Sequence, residues 1–159
     1  EGMLEDAAQD VAHEIFLFWA ACGRTNDRIA YQSWYILARN LMDFFDTLPS
    51  DGFNDSVLAG DYFDPPGTWH GKREEVPRPS DYAAYLRAAH KRAAHLSYGR
   101  AAFRRESAEP CDPSAEISEY LLRLAWLFLN SLLPERQQWF REAATRENFQ
   151  LPWDLVNPA

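Results

Sequence analysis

From Ile29 onward the apolar residues Trp34, Leu37, Leu41, Phe44, Phe45 and Leu48 fall on one helical face. Tyr31, Tyr35, Ile36, Ala38 and Met42 widen that stripe. The pattern predicts a helix from Asn26 to Leu48 that is covered on more than one side. Thr25 or Asn26 is the expected cap, because a side-chain oxygen there accepts from a free backbone N–H. Asp27 would then place negative charge in the first turn, where the helix dipole favours it. Pro49 and Gly52 end the pattern.

The same periodicity runs through most of the chain. Leu4, Ala8, Val11, Ile15, Trp19 and Cys22 mark a first helix, widened by Phe16 and Phe18 and followed by Gly23. So short a connection to the next helix predicts an antiparallel hairpin. The stretch from about 49 to 80 holds most of the Pro and Gly, yet keeps apolar anchors at Phe53, Val57, Leu58, Tyr62, Phe63 and Trp69. A loop that long carries structure or function. It is expected to hold a short helix at Asp55–Gly60 and an exposed, mobile piece at Lys72–Pro79. Ser80 caps a third helix reaching about Ser97 or Gly99, packed through Leu86, Ala89, Ala93 and Leu96. Ser114 caps a fourth through Ile117, Leu121, Leu124, Ala125, Phe128 and Leu132, apolar on most sides and therefore central. Pro134 begins a fifth helix or kinks the fourth into it. No stretch alternates convincingly as a strand. The prediction is an all-α, single-domain bundle of four to five helices spanning 1–159, with a long loop (about 49–80) between its second and third main helices.

Composition narrows this picture. Apolar residues are 47% and aromatics 14% of the 159, enough for a real core and too many for a disordered chain. A net charge of −8 disfavours non-specific nucleic-acid binding by the whole surface. The charge is uneven, however. Between Ala83 and Arg105 stand Arg87, Lys91, Arg92, Arg100, Arg104 and Arg105, with His90 and His95, and no acidic residue. Two isolated cysteines, Cys22 and Cys111, form neither a disulfide framework nor a zinc motif. No basic-then-apolar segment opens the chain, and its longest apolar run, Tyr120–Leu129, is too short to span a bilayer and is broken by Arg123. The expected location is cytoplasmic.

Candidate chemistry is sparse. The G-x-G-x-x-G, P-loop, G-x-S-x-G and H-E-x-x-H patterns are all lacking. His90 and His95 diverge by about 140° around a helix, so they do not pair on a metal. No metal or cofactor is expected. Arg39, Asn40 and Asp43 interrupt the apolar second helix, with Arg39 and Asp43 four apart on one face. Charges in such a setting need partners. Either they form an internal polar network with His95 that fixes helix register, or they form a site. The basic segment is either a solvated face or a phosphate-binding surface for RNA.

The segments Ala38–Phe44, Val57–Phe63 and Ala94–Arg100 read ARNLMDF, VLAGDYF and AHLSYGR. They resemble a group of small, uncharacterised bacterial all-helical proteins with A-R-N-L-x-D-F and A-H-L-x-x-x-R segments. Arg39-Asn40 also resembles the R-N-x-x-x-H motif of the HEPN superfamily, helical bundles that include metal-independent ribonucleases and toxin components with a site shared across a dimer. Phe44 stands where that motif has its histidine. The resemblance implies a HEPN-like module for interaction or oligomerisation, with a protein partner or self-association, no membrane, and Arg39, Asn40, Asp43 and His95 as a buried polar network. The alternative is a ribonuclease-like or toxin-like enzyme. There His95 would move the proton, Arg39 would stabilise the charged phosphorane, Asn40 and Asp43 would position them, and the basic segment would hold RNA.

Overall fold

The computed structural model describes residues 2–22, 24, 27–47, 56–93 and 115–151, without the side chains of Arg28 and of 90–93. Among these residues there are six α-helices, one 3-10 helix and no strand. The helices are α1 (Gly2–Ala21), α2 (Arg28–Asp46), α3 (Gly67–Arg73), α4 (Tyr82–Ala93), α5 (Ala115–Ser131) and α6 (Pro134–Glu147), with the 3-10 helix at Ala59–Tyr62. The all-α bundle is as the periodicity predicts. The extra helix, α3, is two turns long and lies within the stretch from about 49 to 80 that the glycine- and proline-rich composition marks as a long loop.

α1 and α2 make the expected antiparallel hairpin. The cap of α2 differs from expectation: Asp27 fills it, its Oδ1 accepting from the N–H groups of Ile29 (2.9 Å) and Ala30 (3.3 Å). Those two backbone bonds hold the Asp27 carboxyl below its usual range. The buried face of α1 is also rotated from the predicted one. Ala8, Ala12, Ile15, Phe18 and Ala21 are buried, whereas Val11 and Cys22 lie at the core's margin and Trp19 is partly exposed.

α4 begins beside the last residue of α2, where Tyr82 bonds Asp46, and packs back along α2. Its contact face includes Ala88 and Ala89, both buried, and side chains this small let two helix axes come close. Pro134 does begin a separate helix, as its fixed φ and missing N–H suit the first helical position. α6 then packs against α1.

α5 is central. Ile117, Tyr120, Leu121, Leu124, Ala125, Phe128 and Leu129 are all buried along it. Trp34 of α2 donates its indole N–H to Ser118 Oγ at 2.9 Å, which satisfies a buried donor between the two helices. Phe128 sits within 5.3–6.0 Å of the rings of Phe44, Phe45, Tyr62, Phe63, Trp69 and Phe140. The long connection therefore supplies core residues, and its 3-10 helix and α3 close one end of the bundle.

Candidate functional site

Asn40 and Arg39 leave α2 in different directions, because successive helical residues are about 100° apart. Asn40 points at α1 and donates Nδ2–H to Glu14 Oε1 at 2.9 Å. Burial pushes the Glu14 carboxyl up, and the Asn40 bond partly offsets this. The other oxygen of Glu14 is buried with no hydrogen-bond partner among the described residues. Arg39 Nε lies 3.5 Å from Asp43 Oδ2, and the two side chains are 33% and 46% exposed.

Of the four residues that the sequence groups as a network or a site, the structure separates Asn40 from Arg39 and Asp43. Arg39 and Asp43 pair along one helix at the edge of solvent, and Asn40 belongs to the α1–α2 contact instead. The physical reason is the width of the apolar stripe. α1, α4 and α5 cover most of α2, yet the outer face bearing Gln32, Ile36 and, more partially, Arg39 and Asp43 stays open. His95 lies outside the described residues, as do Arg100, Arg104 and Arg105. Of the basic segment, Arg87 is exposed on α4, and the side chains of Lys91 and Arg92 are outside the described set.

A buried ionic cluster does exist, one turn further along. Asp46 ends α2 and accepts from Arg73 Nε, from Arg78 Nη2 at 2.9 Å and from the Tyr82 hydroxyl. Arg73 also donates to the Tyr120 hydroxyl at 3.3 Å. The Asp46 and Arg73 side chains are 11% and 8% exposed. Burial and the Asp46 charge together push the Tyr82 hydroxyl far above its ordinary pKa, so it remains a donor to the carboxylate. Arg78 lies over the Tyr82 ring, 5.0 Å from its centroid. The segment Lys72–Pro79 is thus exposed only in part: Glu74, Glu75, Pro77 and Arg78 are exposed, whereas Arg73 and Val76 are buried. Every polar group of the cluster named here has a partner, so it reads as a fastener joining α2, α3, α4 and α5.

The open surface lies at the other end of α2. Leu17 and Ala20 of α1 and Ile29, Ala30, Ser33, Ile36 and Leu37 of α2 line a groove of about 350 Å³. Ile29, Ile36 and Leu17 are 78%, 46% and 41% exposed. The sequence places Ile29 and Leu37 on one core stripe, but only Leu37 is buried. The groove's charged lining residues, Arg24 and Asp27, pair with one another at 3.2 Å. Glu14 and Asn40, one turn from Leu17 and Ile36, join the two helices beside the groove and are not part of its lining. The signal available in the sequence was Ile29 and Ile36 themselves, seven apart on a helix too short to bury every side.

Among the described residues no group of three or more His, Cys, Asp or Glu side chains could hold a metal ion. None of the described helices is long and apolar enough to cross a membrane. Comparison with family models, with curated proteins and with solved structures finds no match for this chain.

Proposed function

We propose that this protein is a non-catalytic interaction module, a HEPN-like helical bundle whose working surface is the α1–α2 face. The observation that carries this reading is the groove, where Leu17, Ile29 and Ile36 stand exposed together rather than scattered. A contiguous apolar patch on a folded surface marks a site of association. Asn40 holds the α1–α2 hairpin that shapes the groove.

A photo-crosslinking benzoylphenylalanine at position 36 tests the reading in cells that express the chain. Protein adducts are expected at a yield well above that from the same probe at Glu142, which is exposed on α6. Equal yields at the two positions would remove the support for this face.

The half-exposed Arg39 favours a second reading, a metal-independent ribonuclease in which Arg39 and His95 act on the phosphodiester. An exposed i,i+4 pair contributes only about 0.3–0.5 kcal/mol, so Arg39→Ala should leave the thermal melt nearly unchanged. Cleavage of a mixed RNA pool in EDTA that vanishes in folded Arg39→Ala and His95→Ala is the result this reading expects. An inert wild-type protein counts against it.

A further inference from the structure

The chain leaves α6 along α1 and towards the groove. Arg146 Nη1 donates to Gln9 Oε1 at 2.9 Å. Glu147 accepts from Gln9 Nε2 at 2.7 Å and pairs with His13 Nδ1 at 3.2 Å. Asn148 then turns the chain with a φ of 56°, and the Phe149 N–H donates back to the Ala144 carbonyl. The Phe149 ring stacks on His13 and Phe16, with centroids 6.1 and 4.8 Å away. Arg146, Glu147 and Phe149 thus meet α1 at Gln9, then at His13, then at Phe16, each step further along that helix. His13 and Phe16 stand four residues before Leu17 and Ala20, which line the groove. Four residues of helix, about 6 Å, separate the Phe149 contact from that lining.

Burial alternates along the same stretch. Phe149 is half-buried, Gln150 is exposed and Leu151, the last described residue, has no exposed surface. The sequence keeps this period of two through Pro152, Trp153, Asp154 and Leu155. In an extended chain positions 149, 151, 153 and 155 share one face. Two large apolar side chains therefore follow two that are already seated, and they need an apolar surface. Residues 152–159 reach at most about 29 Å. Among the described residues, the large exposed apolar side chains outside the groove lie behind the chain's direction of travel. Met3 and Leu133 are each about 20 Å back along α1 and α6, and Val57 precedes the 3-10 helix that Tyr62 ties to Leu4. The groove lies ahead, and it is apolar apart from Ser33 and the Arg24–Asp27 pair. Residues 149–156 match it with a single charge, Asp154, on the outward side of the alternation.

We propose that Trp153 and Leu155 seat in the α1–α2 groove, so that residues 152–159 are its resident occupant and any other partner must displace them. Trp153 packs on Leu17 and Ala20 of α1, and Leu155 reaches Ile29 and Ile36 of α2. Positions two apart in an extended chain are separated by about 7 Å, close to the spacing of about 8–10 Å between packed helix axes. The area covered is small, but the segment is tethered to the site. Tethering supplies an effective concentration on the order of millimolar, so a weak contact is enough for occupancy. The contact stands without the interaction reading above, whereas its role as a competitor for the groove rests on that reading.

The test is irradiation of the purified full chain with benzoylphenylalanine at position 36, followed by trypsin. The peptide that begins at Glu147 should be found joined to the α2 peptide that begins at Ile29. Its yield should not change with protein concentration, because the contact lies within one chain. The same probe at position 133, 57% exposed at the far end of α6, should give none of this adduct. Trp153→Ser combined with Leu155→Ser should lower the yield at least about tenfold, since both side chains that fill the groove are gone. Trp153→Phe combined with Leu155→Met keeps the apolar pair and should retain the adduct. No adduct from position 36, equal yields at 36 and 133, or a yield that survives the double serine substitution overturns the proposal. In cells, the double serine variant should form more adducts between position 36 and other proteins. A tail adduct in the purified chain, with adducts to other proteins no higher at 36 than at 142 in that variant, keeps the tail contact and removes the interaction module. Adducts to other proteins with no tail adduct keep the module and remove the tail.

Discussion

Asp46→Ala should be among the most damaging single substitutions outside the hydrophobic core, costing about 3–5 kcal/mol. The carboxylate accepts from Arg73, Arg78 and Tyr82. Its removal leaves the buried Arg73 guanidinium with only the Tyr120 hydroxyl, and a buried charge without its counter-ion is the costly state. For a chain of this length the melting temperature should fall on the order of 10 °C. The damage should also be local. Trypsin should cut after Arg73 in the variant under conditions where the wild type resists, because that arginine owes its placement to Asp46. A second variant separates charge from packing. Arg73→Met combined with Asp46→Leu replaces the pair with apolar groups of similar volume, and such exchanges are often neutral. It should recover most of the lost stability. An Asp46→Ala melt that matches the wild type would show that the cluster fastens nothing.

That cluster also marks the limit of what the chain discloses by pattern. Helical periodicity located α1, α2, α5 and α6 because their apolar residues are close in sequence and each face repeats. Asp46 and Arg73 are 27 positions apart, and Tyr82 and Tyr120 are 36 and 74 from Asp46. No local rule connects them. Within KREEVPRP the two arginines look like any solvated charges, and only the approach of α3 to α5 buries the first. Arg39, Asn40 and Asp43 show the converse. Their spacing on an apolar helix was legible, but burial depends on which neighbours cover which side. Asn40 found Glu14 on α1, while Arg39 and Asp43 were left at the margin.

The same dependence on neighbours explains the groove. α2, 19 residues long, is amphipathic, but its apolar side chains spread wider than one packing face and need partners on several sides. α1, α4 and α5 supply three, and the remaining side keeps Ile29 and Ile36 in water. Burying Ile29 would be favourable by about 1.5–3 kcal/mol, and Ile36, already half covered, by about half as much. That unrealised burial is available to whatever docks there, which ties the fold's incomplete packing to the proposed association.

Phe128→Ala should unfold more of the molecule than any change at the groove. Phe128 has no exposed surface, and six aromatic rings surround it. Those rings come from α2, the 3-10 helix and its following residue, α3 and α6, so one side chain joins four parts of the chain to α5. Removing a buried phenylalanine costs about 3–5 kcal/mol through lost transfer energy and the cavity left behind. Several edge-to-face contacts at 5.3–6.0 Å disappear as well, each worth about 0.5–1.5 kcal/mol. Two of the rings around it, Tyr62 and Trp69, are tied to backbone carbonyls and cannot collapse freely inward. Tyr62, for example, offers its carbonyl to Arg136 and its hydroxyl to the Leu4 carbonyl. The loss should therefore reach the upper part of that range, seen as a lower urea midpoint with little change in slope. Phe128→Leu retains most of the volume and should cost much less. If the alanine and leucine variants unfold at the same urea concentration as the wild type, the long connection is not anchored through α5, and the placement of α3 over the core is wrong.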